Sequence, residues 1–285
     1  MSGRVTVYEV GPRDGLQNEA GMVSTADKVR LIEALADAGL PCVEATSFVS
    51  AAAVPQLADA EEVLRFLRRR PGVRYPVLVP NLRGLERARA AGADAIAVFT
   101  AASEAFTRAN INMSIAESLL AFAPVLQRAK AEGMWTRGYV STAFGCPYQG
   151  DVPPAVVAGV AAALGGLGCD EISIGDTIGI GRPEQVAEVV AAVTGSVPVE
   201  RIALHFHDTG GRALANVAAG LGAGVRTFDS SAGGLGGCPF APGAPGNLAT
   251  EALVAMLHER GFETGVDLEA VRAAGAWMRS LVTAA

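Results

Sequence analysis

Short apolar runs recur eight times along the chain, and between most of them the apolar positions switch from strand-like to helical spacing. The runs cover residues 5–10, 42–48, 75–80, 95–101, 135–142, 171–177, 201–208 and 226–231. Their length and composition predict strands. Residues 25–38 carry Val29, Leu31, Ile32 and Leu35 at helical spacing, with Gly39 as the stop. Residues 183–193 follow Gly181 and begin with a proline, which suits a first helical turn. Strand–helix alternation of this kind makes right-handed βαβ units on a parallel sheet. Eight such units in 285 residues predict an α/β fold, a closed (β/α)8 TIM barrel in a single domain spanning 1–285. An open doubly wound sheet is the alternative, and it usually carries a Gly-rich phosphate turn after its first strand. Here the first strand runs into Gly11-Pro12-Arg13-Asp14-Gly15, which is not GxGxxG. Residues 233–247, rich in Gly and Pro, follow the last strand and read as a long mobile loop at the barrel mouth.

Active sites of such barrels lie at the C-terminal ends of the strands. The polar residues at those ends are Arg13, Asp14 and Gln17 after the first, Glu44 and Thr46 on the second, and Asn81 after the third. Asp176 and Thr177 end the sixth, His205 and His207 lie on the seventh, and Cys238 and Asn247 lie in the last loop. His205 and His207 are two of the three histidines in the chain. At i and i+2 on a strand they share a face, about 6.6 Å apart, and neutral imidazoles there can share one ion. An oxygen-rich set with two imidazoles suits a six-coordinate Mg²⁺ or Mn²⁺ better than a tetrahedral structural zinc. Each residue also has a structural alternative. Asp14 fits a turn, Arg13 a partner for Glu44, Asp176 a helix cap, Cys238 a small buried apolar group and Asn247 a loop stabiliser. His258, alone on the final helical region, reads as a surface residue.

Half of the residues are hydrophobic and the formal charge is −6, with acids and bases scattered. No basic stripe points to nucleic acid and no polybasic segment to an anionic membrane. The apolar stretches are too short and too broken to span a bilayer. The first residues run almost directly into a strand, with no signal or transit peptide ahead. Cys42, Cys146, Cys169 and Cys238 show no CxxC spacing and read as reduced thiols in a cytoplasm.

Several segments are similar to one known family over nearly the whole length. They include Glu9-Val-Gly-Pro-Arg-Asp-Gly-Leu-Gln-Asn18, Glu44-Ala-Thr-Ser-Phe-Val-Ser50, Ser173-Ile-Gly-Asp-Thr177, His205-Phe-His-Asp-Thr209 and Gly233-Gly-Leu-Gly-Gly-Cys-Pro-Phe240. With these the chain resembles the hydroxymethylglutaryl-CoA lyase family. The Arg-Asp-Gly and His-x-His elements are shared with a wider group of metal-dependent barrels; the Gly-Gly-Cys-Pro loop is more specific. The resemblance implies cleavage of 3-hydroxy-3-methylglutaryl-CoA to acetyl-CoA and acetoacetate, the last step of leucine breakdown, by a homodimer; with no transit peptide or terminal sorting signal, the chain is expected to be a cytoplasmic enzyme of bacterial type. It makes Asp14, His205, His207 and Asn247 ligands of Mg²⁺ or Mn²⁺. Arg13 and Cys238 become catalytic, Asp176 and Glu44 support them, and Asn110 and Thr107, in the loop after the fourth strand, contact the acyl-CoA.

Other readings make different demands. A condensing synthase runs the reverse bond formation and usually extends well beyond the barrel. A non-catalytic metal-binding barrel has no need of Arg13 or Cys238. A lyase for a bulkier 3-hydroxy-3-alkylglutaryl-CoA differs only in pocket volume, which the sequence does not display.

Overall fold

The computed structural model describes residues 3–237 and 245–284. Eight parallel strand positions alternate with helices. They are β1 (Thr6–Glu9), β2 in two pieces (Cys42–Val43 and Thr46–Ser47), β3 (Val77–Leu78), β4 (Ala95–Ala101), β5 (Trp135–Ser141), β6 (Glu171–Asp176), β7 (Ile202–Phe206) and β8 (Thr227–Ser230). All eight fall inside the predicted runs. The sheet order begins with one piece of β2, passes through β1, β8 and the other strands in reverse sequence, and ends with the second piece of β2. One strand therefore stands at both ends of the order, and the sheet closes into a barrel. The backbone of β2 bonds both ways: Glu44 N–H donates to Glu9 O at 2.8 Å, and Ala45 N–H donates to Pro76 O at 2.9 Å.

Among the described residues the α-helices are α1 (Thr25–Asp37), α2 (Ala60–Phe66), α3 (Leu82–Ala90), α4 (Glu104–Ile111), α5 (Ile115–Ala131), α6 (Pro154–Gly166), α7 (Pro183–Val193), α8 (Ala213–Gly222), α9 (Thr250–Glu259) and α10 (Leu268–Ala284). The local reasons are visible. Ser24 caps α1 by accepting from Asp27 N–H, and Leu31, Ile32 and Leu35 turn inward. Ser114 and Glu117 form a capping box on α5. Pro183 opens α7, where its missing N–H costs nothing.

Strand residues divide by parity. One set, including Ile96, Val98, Ile172, Ile174, Leu204 and Phe228, joins the apolar layer under the helices. The other set points into the barrel, and much of it is polar: Glu44, Arg137, Tyr139, Ser173, His205 and Asp229. The barrel interior is thus a hydrogen-bonded network of charges rather than stacked aliphatic layers. Among the described residues, no single helix is long and apolar enough to cross a membrane.

Candidate active site

After β1 the chain tightens into one π-helical turn, Gly11–Gly15, in which the N–H groups of Arg13, Asp14 and Gly15 all donate to Val10 O. This turn swings Arg13 and Asp14 over the barrel mouth. Arg13 is 6% exposed. Its Nη1 lies 2.7 Å from Asp14 Oδ1, and its Nη2 lies 2.8 Å from Glu44 Oε2. The Tyr139 hydroxyl donates to the same Glu44 oxygen at 2.8 Å. Arg13 is accordingly both a partner of Glu44 and a resident of the mouth. Burial disfavours its charge, but the Glu44 and Asp14 carboxylates outweigh that and hold the guanidinium more firmly protonated than usual.

His205 and His207 arrive from β7 with ring centroids 5.3 Å apart. One ligand atom each from Asp14, His205 and His207 lie within 4.8 Å of one another, a candidate metal site. Asn247 is carried in by backbone. It bridges to His207, and its neighbour Leu248 donates N–H to Phe206 O at 3.1 Å. Asn247 Nδ2 donates to Asp14 Oδ2 at 2.9 Å and to Leu235 O at 3.2 Å. Gly236, at φ +89, lets this happen: a Cβ there would stand 2.9 Å from Asn247 Nδ2 and from Gly15 Cα.

The donor set fits a hard divalent ion. Asn247 Oδ1 and His207 Nδ1 are buried polar atoms with no hydrogen-bond partner, the first an acceptor and the second an acceptor in the tautomer protonated on Nε2. A native fold rarely leaves such atoms idle without a ligand to receive. Burial and the neighbouring His205 lower His207 to about 4, so it is neutral and ready to ligate at neutral pH. Burial alone would raise Asp14, but Arg13 and the two imidazoles prevail and hold its carboxyl at about 2.

Asp176 ends β6 beside this cluster, and His207 N–H reaches its backbone oxygen at 3.3 Å. Its carboxylate accepts from Ile180 N–H at 3.1 Å and Gly181 N–H at 2.9 Å, so it caps the turn that leads to α7. Burial nevertheless raises it to about 6, against those two bonds.

Arg13, Asp14, Glu44, His205, His207 and Asn247 therefore converge, with Asp176 on the adjoining strand end. Cys238 lies outside the described residues. Asn110 and Thr107 sit on helix α4, not in a loop. Thr107 is fully buried and its hydroxyl donates to Ser103 O or Glu104 O, so it has no face to offer a cofactor. Asn110 is exposed. Cys146 is buried and its Sγ accepts from the Ser103 hydroxyl at 2.9 Å. His258 is exposed, as expected. Sequence reasoning missed the layer beneath the site: Asp229, Arg137, Ser173 and Tyr139, together with Glu9. Parity was the available signal. Asp229 is in register with both Tyr8 and His205, and Tyr139 with Ser173, so polar residues of one parity recur on adjoining strands.

A closed parallel barrel that gathers a carboxylate, two imidazoles and a buried arginine at its C-terminal mouth has the form of a barrel enzyme with a candidate metal site. Residues 4–278 match the HMGL-like family model. A hydroxymethylglutaryl-CoA lyase of Pseudomonas mevalonii is 56% identical over 271 residues, covering 95% of this chain and 90% of the relative. A mitochondrial hydroxymethylglutaryl-CoA lyase of Bos taurus is 54% identical over 275 residues, covering 96% and 85%. The crystal structure of the HMG-CoA lyase from Brucella melitensis superposes with a TM-score of 0.97 at 54% identity, covering 99% of this chain and 100% of that one. The chain belongs to the HMGL-like family.

Proposed function

We propose that this chain cleaves 3-hydroxy-3-methylglutaryl-CoA to acetyl-CoA and acetoacetate, using Mg²⁺ or Mn²⁺ held by Asp14, His205, His207 and Asn247. The observation that carries the reading is the convergence of those ligand atoms beside Arg13, in a chain whose relatives carry this activity in their names. When bound, the ion would supply Lewis acidity to the oxygens of the substrate. The residues do the rest. Cleavage of the C2–C3 bond needs the C3 hydroxyl proton removed, turns that oxygen into a ketone, and sends the bonding electrons into the thioester as an enolate. Arg13, permanently charged, suits the thioester oxygen as it becomes negative. The groups that end β6, β1 and β7 at the mouth, Asp176, Asp14 and His205, are the candidates to accept the hydroxyl proton. Cys238 protonates the enolate carbon and completes acetyl-CoA. The C3 substituent remains the open variable, and a panel of 3-hydroxy-3-alkylglutaryl thioesters tests it.

We propose further that the chain works as a homodimer in a cytoplasm, where its thiols stay reduced. Incubation with EDTA should abolish release of acetoacetate, and Mg²⁺ or Mn²⁺ should restore it. Undiminished turnover in rigorously metal-free protein, or products other than acetyl-CoA and acetoacetate, would overturn the proposal.

A further inference from the structure

The inner edge of the His205 ring is braced by four strands. Asp229 of β8 lies in register with His205. Its Oδ2 is 3.3 Å from His205 Nδ1 and accepts from the Ser173 hydroxyl at 3.0 Å. Its Oδ1 accepts from Arg137 Nη2 at 2.5 Å. The Arg137 and Asp229 side chains are both 0% exposed. The Arg137 guanidinium lies 3.6 Å from the Tyr8 ring centroid, and its Nε is 3.3 Å from Glu171 Oε1.

We propose that Asp229 is a positioning residue that sets the tautomer of His205, and that Arg137 fixes the way Asp229 does so. The inference rests on the metal reading above. A carboxylate only accepts, so an uncharged His205 must carry its proton on Nδ1 to bond it, which leaves the Nε2 lone pair for an ion. Arg137 adds the second constraint. A guanidinium only donates, so whatever atom faces it must be an acceptor. In Asp229→Asn the amide oxygen must therefore stay on Arg137, and the amide NH₂ must turn to His205 and Ser173. An N–H aimed at Nδ1 demands the opposite tautomer, with the proton on Nε2 where a ligand lone pair is needed. A nearly isosteric change far from solvent then weakens ligation by His205, although no side chain at the mouth is replaced. Arg137→Gln added to Asp229→Asn should undo the effect. Glutamine accepts as well as donates, so the amide at 229 is free to turn its oxygen back to His205.

The test combines Mn²⁺ titration by calorimetry at about pH 8 with ¹⁵N NMR of the metal-free, histidine-labelled full chain. Three histidines make assignment tractable, with His258→Gln as a reference. Wild type should bind Mn²⁺ and show the Nδ1–H form of His205. Asp229→Asn should show the Nε2–H form and bind Mn²⁺ about 10–100-fold more weakly. The double variant should recover both. Absence of Mn²⁺ binding by wild type would overturn the metal reading itself. If wild type binds and Asp229→Asn binds equally well, or loses affinity with Nδ1–H retained, the inference is wrong and Asp229 is a packing residue. Should Asp229→Asn not fold, Asp229→Asn/Arg137→Gln is compared with Asp229→Ala/Arg137→Gln. The first must hold Nδ1–H and bind Mn²⁺ more tightly than the second, and equal affinity overturns the proposal.

Discussion

Glu9 and Asp14 stand five positions apart at the end of β1, the first fully buried and the second with its side chain 14% exposed, and their environments drive them in opposite directions. Glu9 is raised from 4.5 to about 7, first by burial, against bonds from the Thr250 hydroxyl and the N–H groups of Ala232 and Gly11. Asp14 feels burial too, yet is held at about 2 by Arg13 and the two histidines. The carboxylate without a cation is fully engaged by its own chain and ties β1, the turn at Ala232–Gly234 and helix α9 together. The carboxylate beside Arg13 lies next to buried polar atoms of Asn247 and His207 that the fold leaves unpartnered. Burial is common to both; the partners decide which acid builds the barrel and which receives a ligand.

Asp14→Ala should break this contrast most severely. Mn²⁺ binding should vanish in calorimetry, and kcat/KM should fall by more than about 10³-fold, beyond the 10–100-fold cost of losing an outer partner of a metal ligand. Retained Mn²⁺ affinity would make Asp14 a structural acid like Glu9. Arg13→Met separates the cation from the ligands it accompanies. Its kcat should drop by roughly 10²–10³-fold, the cost of one oxyanion-stabilising group, while Mn²⁺ affinity stays near wild type. Loss of metal with normal kcat at saturating Mn²⁺ would reverse the assignment.

The two Gly-Cys-Pro thiols carry the contrast to sulfur. Cys146 is satisfied by the Ser103 hydroxyl at 2.9 Å and the Tyr148 N–H at 3.4 Å, so Cys146→Ser should be mild. Cys238→Ser should lower kcat by about 10²-fold with metal content intact, as loss of a proton donor does. Peptide mapping after alkylation should find Cys238 modified and protected by substrate. Equal effects of the two substitutions would remove Cys238 from the chemistry.

Glu9→Gln should have the smallest effect on turnover and a clear one on stability. At low pH both states hold the proton. As pH rises from 4.5 to about 7 the unfolded chain releases it first, so wild-type stability declines across that window and is level above it. A shift of this size corresponds to about 3 kcal/mol. Urea unfolding at pH 5 and pH 7.5 should show this decline in wild type and little of it in Glu9→Gln. An unchanged decline would mean that another buried acid causes it.

The strand positions, both helices singled out by spacing and the mouth cluster were legible because each rests on local pattern: apolar runs, a first-turn proline, two histidines on one strand face. The inner layer was not. Asp229 and Arg137 sit within runs that read as ordinary strands, and their pairing joins residues 92 positions apart. Only the closed register of the barrel brings them together. Thr107 and Asn110 are expected in a loop only through the resemblance, with no periodicity behind the expectation. Ser103 nevertheless caps a helix there by accepting from Phe106 N–H at 3.1 Å.

The double membership of β2 also limits how two copies of this chain can meet. An open sheet presents a row of unpaired N–H and C=O groups that a second chain can extend, the usual route to edge-to-edge association. A sheet whose first and last strands are the same strand has no such row. Any pairing of copies must run through helices or loops, where side chains set the partner and the backbone offers no template.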